Sequence, residues 1–342
     1  MNRGFIGALC LSVAFVLLGG CGGSQPATAT PGMISQASAI ATHPAGGNSW
    51  MPETSGEDLM YVSDAKNEVR IFSYPAGKPI EEFTLDSAGS SCAGTNGNIY
   101  ISGLNNISEY AHGGTVPLTT LPIGSPVRTC AVDPATGDLA ATISAGSKSY
   151  IALFPNGTGT PEKIQDPGLE SYFGCTYDSD GNLFVDGETR NSAPFLAELP
   201  RGASQFTNFS LGSVGAGFWI QWDGTAIAME DFGQHGGNSG HITRLQVSGS
   251  SIQVIGTVSL IGKLSIAQPW LQGGTFIASI YERRRAHRHD VKPLHRSSFN
   301  KATALAFWDY PNGGKETQTI PWTEFNRKAG IRAITISVSP TN

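Results

Sequence analysis

Residues Phe173–Leu211 read FGCTYDSDGNLFVDGETRNSAPFLAELPRGASQFTNFSL, and this stretch decides the fold. Its short apolar runs are separated by turn residues, notably Asp178–Asn182 and Pro200–Gly202. Asp and Asn side chains bond their own backbone, and Gly and Asn tolerate positive φ, so such clusters are typical of tight turns. The runs between them are rich in β-branched and aromatic residues, which favours strands. Four antiparallel strands in about 40 residues is the size of one β-propeller blade.

The chain repeats this unit six times. The second strand of each unit can be aligned, at spacings of 39, 40, 44, 43 and 50 residues. Third strands align as well, because each continues into a Pro-, Asn- or Gly-containing turn that closes a hairpin. The aligned second-strand positions are Tyr61, Tyr100, Ala140, Phe184, Ile227 and Ile277.

The two ends of the repeat array complement each other. The first unit lacks its first strand, whereas Ile331–Val338 is one strand too many. We therefore predict an all-β fold over residues 50–342: a six-bladed β-propeller with four antiparallel strands per blade, in which the C-terminal strand completes blade 1. Such closure hides the sheet edges that would otherwise template aggregation.

Two segments carry a resemblance to known families. Cys130–Pro134 and Asp178–Asp186 resemble the turns and strands of NHL-repeat and gluconolactonase-like propellers, and the likeness spans Leu59–Val338. The chain is also similar to propellers found in bacterial lipoproteins. The gluconolactonase resemblance implies a divalent metal at the channel mouth, held by Glu, Asn and Asp. Those ligands do not match here residue by residue, and Glu230 and Asp231 are weak candidates.

The N-terminus predicts export. Residues 1–20 combine Arg3 with a short apolar run, which suits a signal peptide better than a membrane-spanning helix. The run ends in Leu18–Cys21, which resembles a lipobox, so Cys21 would become the lipidated first residue; the alternative is an ordinary secretory signal with a chance cysteine. Residues 21–49 are mostly Gly, Ser, Ala, Thr and Pro with almost no charge, which indicates a flexible tether.

Composition and location narrow the set of partners. Net charge is −5 and only 14% of residues are charged, so nothing suggests nucleic-acid binding. We expect a monomer attached to a bacterial membrane through its lipid. Gly22 stands where Asp would retain a lipoprotein at the inner membrane, which favours the outer membrane or cell surface. A protein or an envelope polymer is the expected partner.

Three mature cysteines fall at equivalent places in the first strands of units two, three and four, and two tryptophans hold that place approximately in units five and six. First strands line a propeller's channel, so this ring is either a packing layer or a functional site. The functional alternative is a thiolate metal site or a ligand pocket with aromatic walls. We expect the cysteines to lie beyond the roughly 7 Å Cα separation that a disulfide allows. The ring residues are Cys92, Cys130, Cys175, Trp219 and Trp270.

A basic insertion follows Tyr281 in unit six. Residues 282–296 contain six Lys or Arg against two acids, and arginine clusters bind phosphate and carboxylate groups well. The insertion is therefore either an anion-binding loop or a solvated one, and His287, His289, Asp290 and His295 offer a metal alternative. Its arginines are Arg283, Arg284, Arg285, Arg288 and Arg296.

The enzyme motifs that would be diagnostic are missing from the sequence. There is no G-x-S-x-G nucleophile motif, zinc-type cysteine spacing or phosphate-binding loop. Acids such as Asp178, Asp180 and Asp223 lie in turns and do not continue into a calcium-loop pattern. Four acids, Asp64, Asp186, Glu230 and Asp231, are predicted to end second strands, where loops converge on one face. We interpret the protein as a binding or scaffolding module without a cofactor; the alternative is a metal-dependent hydrolase or lactonase with its site at the channel mouth.

Overall fold

The computed structural model describes residues 56–146, 148–166, 168–212, 214–215, 217–230, 239–262, 264, 267–280, 304–321 and 330–340. Every described residue belongs to one compact unit, Gly46–Asn342. The predicted signal peptide, Cys21 and tether lie outside the described residues, as do Asp231 and the basic insertion with its arginines and histidines.

Six sheets form a ring, each built on four antiparallel strands as the repeat predicts. From the channel outward, blade 1 contains β25 (Ile331–Ser337), β1 (Leu59–Asp64), β2 (Glu68–Ser73) and β3 (Pro79–Thr84). Blade 2 contains β4 (Ser91–Ala93), β5 (Ile99–Ser102), β6 (Asn106–Tyr110) and β7 (Pro117–Pro122). Blade 3 contains β8 (Val127–Val132), β9 (Leu139–Ile143), β10 (Tyr150–Phe154) and β11 (Glu162–Ile164).

The second half of the ring follows the same order. Blade 4 contains β12 (Leu169–Tyr177), β13 (Leu183–Thr189), β14 (Pro194–Leu199) and β15 (Thr207–Ser210). Blade 5 contains β16 (Ile220–Trp222), β17 (Ile227–Glu230), β18 (Ser239–Ser248) and β19 (Ser251–Ile261), with β23 (Gly314–Lys315) added in parallel at its outer edge. Blade 6 contains β20 (Trp270–Gln272), β21 (Thr275–Ile280), β22 (Ala304–Asp309) and β24 (Gln318–Pro321).

The predicted closure is confirmed. The C-terminal strand β25 pairs antiparallel with β1, in a register that sets Leu59 opposite Ser337 and Val62 opposite Ile334. The last strand of the chain is thus the innermost strand of the first blade, and the ring has no open edge at the junction.

The core lies between the blades. Six apolar clusters are present, one between each pair of neighbouring blades. Between blades 5 and 6 the ring centroids of Trp219 and Phe276 lie 5.5 Å apart, and those of Phe276 and Trp308 lie 6.1 Å apart. Each blade is therefore held by its neighbours, and the period-two pattern of the strands places one apolar face against each.

The expectation that the inner-strand cysteines are too far apart to pair is wrong. Cys92 on β4 and Cys130 on β8 form a disulfide, with their Cα atoms 5.6 Å apart. Innermost strands of neighbouring blades converge on the channel axis, which brings equivalent positions of blades 2 and 3 within bonding range. Cys175, at the next place around the ring, is a buried free cysteine.

Helix is nearly absent from this part of the protein. Within the described ranges it is confined to a 3-10 turn at Pro155–Gly157. No helix there has the length and apolarity needed to cross a membrane.

Candidate binding site at the channel mouth

Two cavities open at the ends of the channel. The first, about 490 Å³, lies where innermost strands begin and second strands end. We call it the arginine mouth, defined by Leu104, Arg128, Phe173, Phe218, Glu230 and Arg332. The second, about 400 Å³, lies where innermost strands end. We call it the tryptophan mouth, defined by Tyr177, Trp222, Trp270 and Gln272. Thr129, Trp219 and Gln268 line both cavities, so these three residues lie between the two mouths inside the channel.

A β-bulge in β12 shapes the arginine mouth. The register of β12 against β13 shifts between Tyr172 and Cys175, and the Gly174 N–H donates to Asp186 Oδ1 at 2.5 Å. A Cβ atom at Gly174 would lie 2.7 Å from Asp186 Oδ1 and 2.9 Å from the Ile220 backbone nitrogen. Only glycine fits this approach, and the bulge places Phe173 on the cavity wall.

Hydrogen bonds from blade 3 fix the bulge. The Phe173 carbonyl accepts from Thr129 Oγ1 at 3.0 Å and from Thr142 Oγ1 at 2.7 Å. Both threonines are buried, so these bonds are shielded from competition with water. The network joins blades 3 and 4 directly beneath the wall of the mouth.

Arg128 stacks on the residue that the bulge presents. Its guanidinium carbon lies 5.0 Å from the centroid of the Phe173 ring, within the range of a cation–π contact. Phe173 in turn contacts Phe218, with ring centroids 4.9 Å apart. Burial lowers the pKa of Arg128, and the charges of Glu188 and Asp186 oppose that change. Arg128 stays a cation at neutral pH in either case.

A second arginine and an amide complete the wall. Arg332 Nη1 donates to the Ala88 carbonyl at 2.7 Å. Gln268 Nε2 donates to the Ser91 carbonyl at 2.7 Å, and Gln268 Oε1 accepts from the Ser91 N–H at 3.1 Å. The Gln268 amide thus ties the start of blade 6 to blade 2 and has a structural role. Arg332, by contrast, presents its charge to the cavity.

Two carboxyl groups lie at or behind this wall, and both are buried. Glu230 is 3% exposed, and desolvation raises its pKa well above the usual range. Asp186 is fully buried, and its Oδ2 has no hydrogen-bond partner among the described residues. Desolvation raises the pKa of Asp186 well above its usual range, and the Gly174 N–H and Arg128 reduce that rise in part. Both acids are therefore held towards their neutral forms.

The ring predicted from the cysteines and tryptophans lines the second cavity. Cys92, Cys130, Cys175, Trp219 and Trp270 are all on its wall, and its described lining includes no charged side chain. Burial raises the pKa of the Cys175 thiol to about 12, which disfavours the thiolate. The other two sulfurs are in the disulfide, so the ring does not fit a thiolate metal site.

The remaining acids fit turns better than a metal. Asp64 Oδ1 accepts from the Lys66 N–H at 2.7 Å, and Asp178 Oδ1 accepts from the Asp180 and Asn182 N–H groups at 2.9 Å. Glu230 lines the arginine mouth without a second acid, and no group of three His, Cys, Asp or Glu side chains is gathered in the part of the chain that the structure describes. The described residues therefore do not fit the metal that the gluconolactonase resemblance implies.

Sequence reasoning missed Arg128, Arg332, Phe173 and Phe218. They come from blades 3, 1 and 4 and from the segment before blade 5, so no local motif links them. One signal was available: Arg128 and Arg332 both occupy the second position of an innermost strand in a chain with few charges. The repeat alignment locates the start of each innermost strand, so it would have placed both arginines at one end of the channel.

Comparisons with known proteins establish the fold. No family model matches the chain, and no curated protein matches it. A chain in a nidogen/laminin complex is 14% identical with a TM-score of 0.57, covering 83% of this chain and 100% of that one. TolB from Acinetobacter baumannii is 14% identical with a TM-score of 0.57, covering 83% and 67%. The β-propeller domain of Cps50 (Swd1) from Myceliophteria thermophila is 10% identical with a TM-score of 0.52, covering 77% and 83%.

Proposed function

We propose that the chain is an exported, lipid-anchored β-propeller of the NHL-repeat type that binds a partner molecule at the cell envelope through the arginine mouth. Its six four-stranded blades make it an all-β protein, and a similarity at 10–14% identity shows that fold alone. The observation that carries this proposal is the open cavity at the channel end, where Arg128 and the 46%-exposed ring of Phe218 face solvent. Concave sites with an apolar wall and a few fixed polar groups are the usual form of a binding site.

Two further observations support partner recognition. One structural match is a chain in the crystal structure of a nidogen/laminin complex, which favours a protein as the partner. The chain also leaves β21 after Ile280 and enters β22 at Ala304, both at the end of the ring where the arginine mouth opens. The sequence between those residues includes the basic insertion, the densest positive charge in the chain.

Attachment through Cys21 has a direct test. Cells producing the full chain should incorporate a labelled fatty acid into it, and the protein should sediment with the membrane fraction. The Cys21→Ser variant should lose the label and appear in the soluble exported fraction, whereas Cys10→Ser, which changes a residue of the predicted signal peptide, should retain it. Label on the Cys21→Ser protein would refute the anchor.

Binding at the arginine mouth can be tested by site-specific photocrosslinking in the cells that export the protein. A photoreactive side chain at Leu104, which is 51% exposed at the mouth, should yield an adduct detected by mass spectrometry as protein, glycan or small molecule. The matched control is Leu118, 59% exposed on the outer strand of the same blade, which should yield none. Equal adducts from both positions, or none from Leu104, would contradict the proposal.

A further inference from the structure

The chemistry of the arginine mouth indicates what it binds. Resting on the proposed function, we propose that its ligand carries a carboxylate or phosphate group attached to an apolar body, with Arg128 and Arg332 holding the anion and Phe218 and Leu104 contacting the apolar part. Arginine is suited to this task because its planar guanidinium matches the geometry of both anions.

The two arginines differ from the paired arginines elsewhere in the described structure. Arg70 pairs with Glu68 and Glu82 at 2.6 and 3.1 Å. Arg201 pairs with Asp133 at 2.9 Å, and Arg244 pairs with Asp223 at 2.7 Å.

Within the described ranges, no ion pair involves Arg128 or Arg332. Arg332 donates one of its five N–H groups to the Ala88 carbonyl, so other donors remain for a ligand. Neither arginine has a described acid at ion-pair distance, although the charge of Glu188 acts on Arg128 from farther away. Two such cations on one cavity wall favour an anion from solution.

Arg128 is already held in position before any ligand arrives. It lies against Phe173, whose carbonyl is fixed by Thr129 and Thr142 and whose backbone is shaped by the Gly174–Asp186 bond. A long side chain that is ordered in advance loses less entropy when it binds. The buried network beneath the mouth therefore has a role in recognition: it fixes the platform on which the cation rests.

Among its described residues, the same wall offers apolar contact and no exposed carboxylate to compete. Phe218 is 46% exposed and Leu104 is 51% exposed, although large apolar side chains are normally covered. The acid of the lining, Glu230, is 3% exposed, so its oxygens are largely withdrawn from the cavity surface. By contrast, the described lining of the tryptophan mouth has no charged side chain and so offers an anion no opposite charge.

A ligand-observed NMR titration of the full chain with two matched probes tests the proposal. The probes are 4-phenylbutyrate and its neutral amide, 4-phenylbutyramide, which share the apolar body and differ in the anion. The carboxylate should bind at least about tenfold more tightly than the amide, the usual value of a charged hydrogen bond. Arg128→Gln and Arg332→Gln should each lower the affinity for 4-phenylbutyrate about tenfold. Arg190→Gln, which removes an exposed arginine absent from the cavity lining, should change nothing.

The outcomes separate the ligand class from the proposed function. Equal affinity for the acid and the amide, with no effect of either arginine substitution, would overturn the anion proposal. Failure of both probes to bind at millimolar concentration would overturn it too. If Leu104 still gave its crosslinked adduct in the Arg128→Gln/Arg332→Gln protein, the mouth would remain a binding site for a ligand of another class. If Leu104 gave no adduct in any variant, the proposed function itself would fail.

Discussion

Replacing Asp223 with asparagine should remove a stabilising contact between blades 5 and 6. The Asp223 side chain is 1% exposed and accepts from Arg244 Nε at 2.7 Å and from Tyr310 Oη at 2.8 Å. Tyr310 belongs to the turn after β22 in blade 6, so a carboxylate of one blade is tied to its neighbour. Burial raises the pKa of Asp223, but these hydrogen bonds outweigh that effect and lower the pKa from 3.8 to about 2.

The size of the effect follows from that shift. At about 1.4 kcal/mol per pKa unit, a change from 3.8 to about 2 corresponds to about 2.4 kcal/mol of stability. The folded pKa lies below the unfolded one, so this stability is fully present above the unfolded value and is lost as pH falls through about 2. The free energy of unfolding of the Asp223→Asn protein should thus be about 2 kcal/mol lower than that of the wild type at neutral pH. This difference should shrink as the pH is lowered.

Urea unfolding of the full chain, followed by tryptophan fluorescence at several pH values, measures this difference. Asp180→Asn is the matched control, because Asp180 is an exposed turn residue and the substitution removes the same charge. That control should change stability by less than about 0.5 kcal/mol. The reasoning is refuted if Asp223→Asn costs no more than Asp180→Asn at neutral pH, or if its cost is the same at about pH 3.

Three further predictions concern the ring and the bulge. Removing residues 330–342 should expose the edge of β1 and produce aggregation in size-exclusion chromatography, whereas removing only residues 341–342 should not. Reducing the Cys92–Cys130 disulfide, which spans 38 residues, should lower the free energy of unfolding by about 2–4 kcal/mol, and alkylation mapping should find Cys175 unreactive until the protein unfolds. Because the folded pKa of Asp186 is raised, the stability that it contributes is present below its unfolded pKa and falls as pH rises; Asp186→Asn should remove that decline. Asp186→Ala deletes the acceptor of the Gly174 N–H and should cost about 1–3 kcal/mol at low pH, with a smaller cost as pH rises because only the wild type then loses stability.

The sequence predicted the architecture because a propeller is specified locally and repeatedly. Each blade carries its own turn residues and strand pattern, so six weak signals at a spacing near 40 residues reinforce one another. The surplus strand predicted at Ile331–Val338 also predicted the closure, because an extra strand at one end of the array can supply the strand that is missing at the other. Distances across the channel were not predicted in this way. Nothing in the spacing of Cys92 and Cys130 reports how closely neighbouring inner strands converge, and the disulfide was missed for that reason.

The residues of the arginine mouth could not be predicted from sequence spacing either, because they come from distant parts of the chain. Arg128 and Arg332 are 204 positions apart, and they share a cavity because the last strand of the chain returns to the first blade. The Phe173 platform depends on a bulge that one glycine permits and one buried acid on the next strand holds, and neither residue type is unusual in a strand-rich sequence. The sequence pattern predicts Asp186 at the end of a second strand, but β13 runs on to Thr189, so Asp186 lies within the strand. Its burial and its bond to Gly174 indicate instead that it positions the residue on which Arg128 rests, and its substitution should weaken anion binding without any direct contact with the ligand.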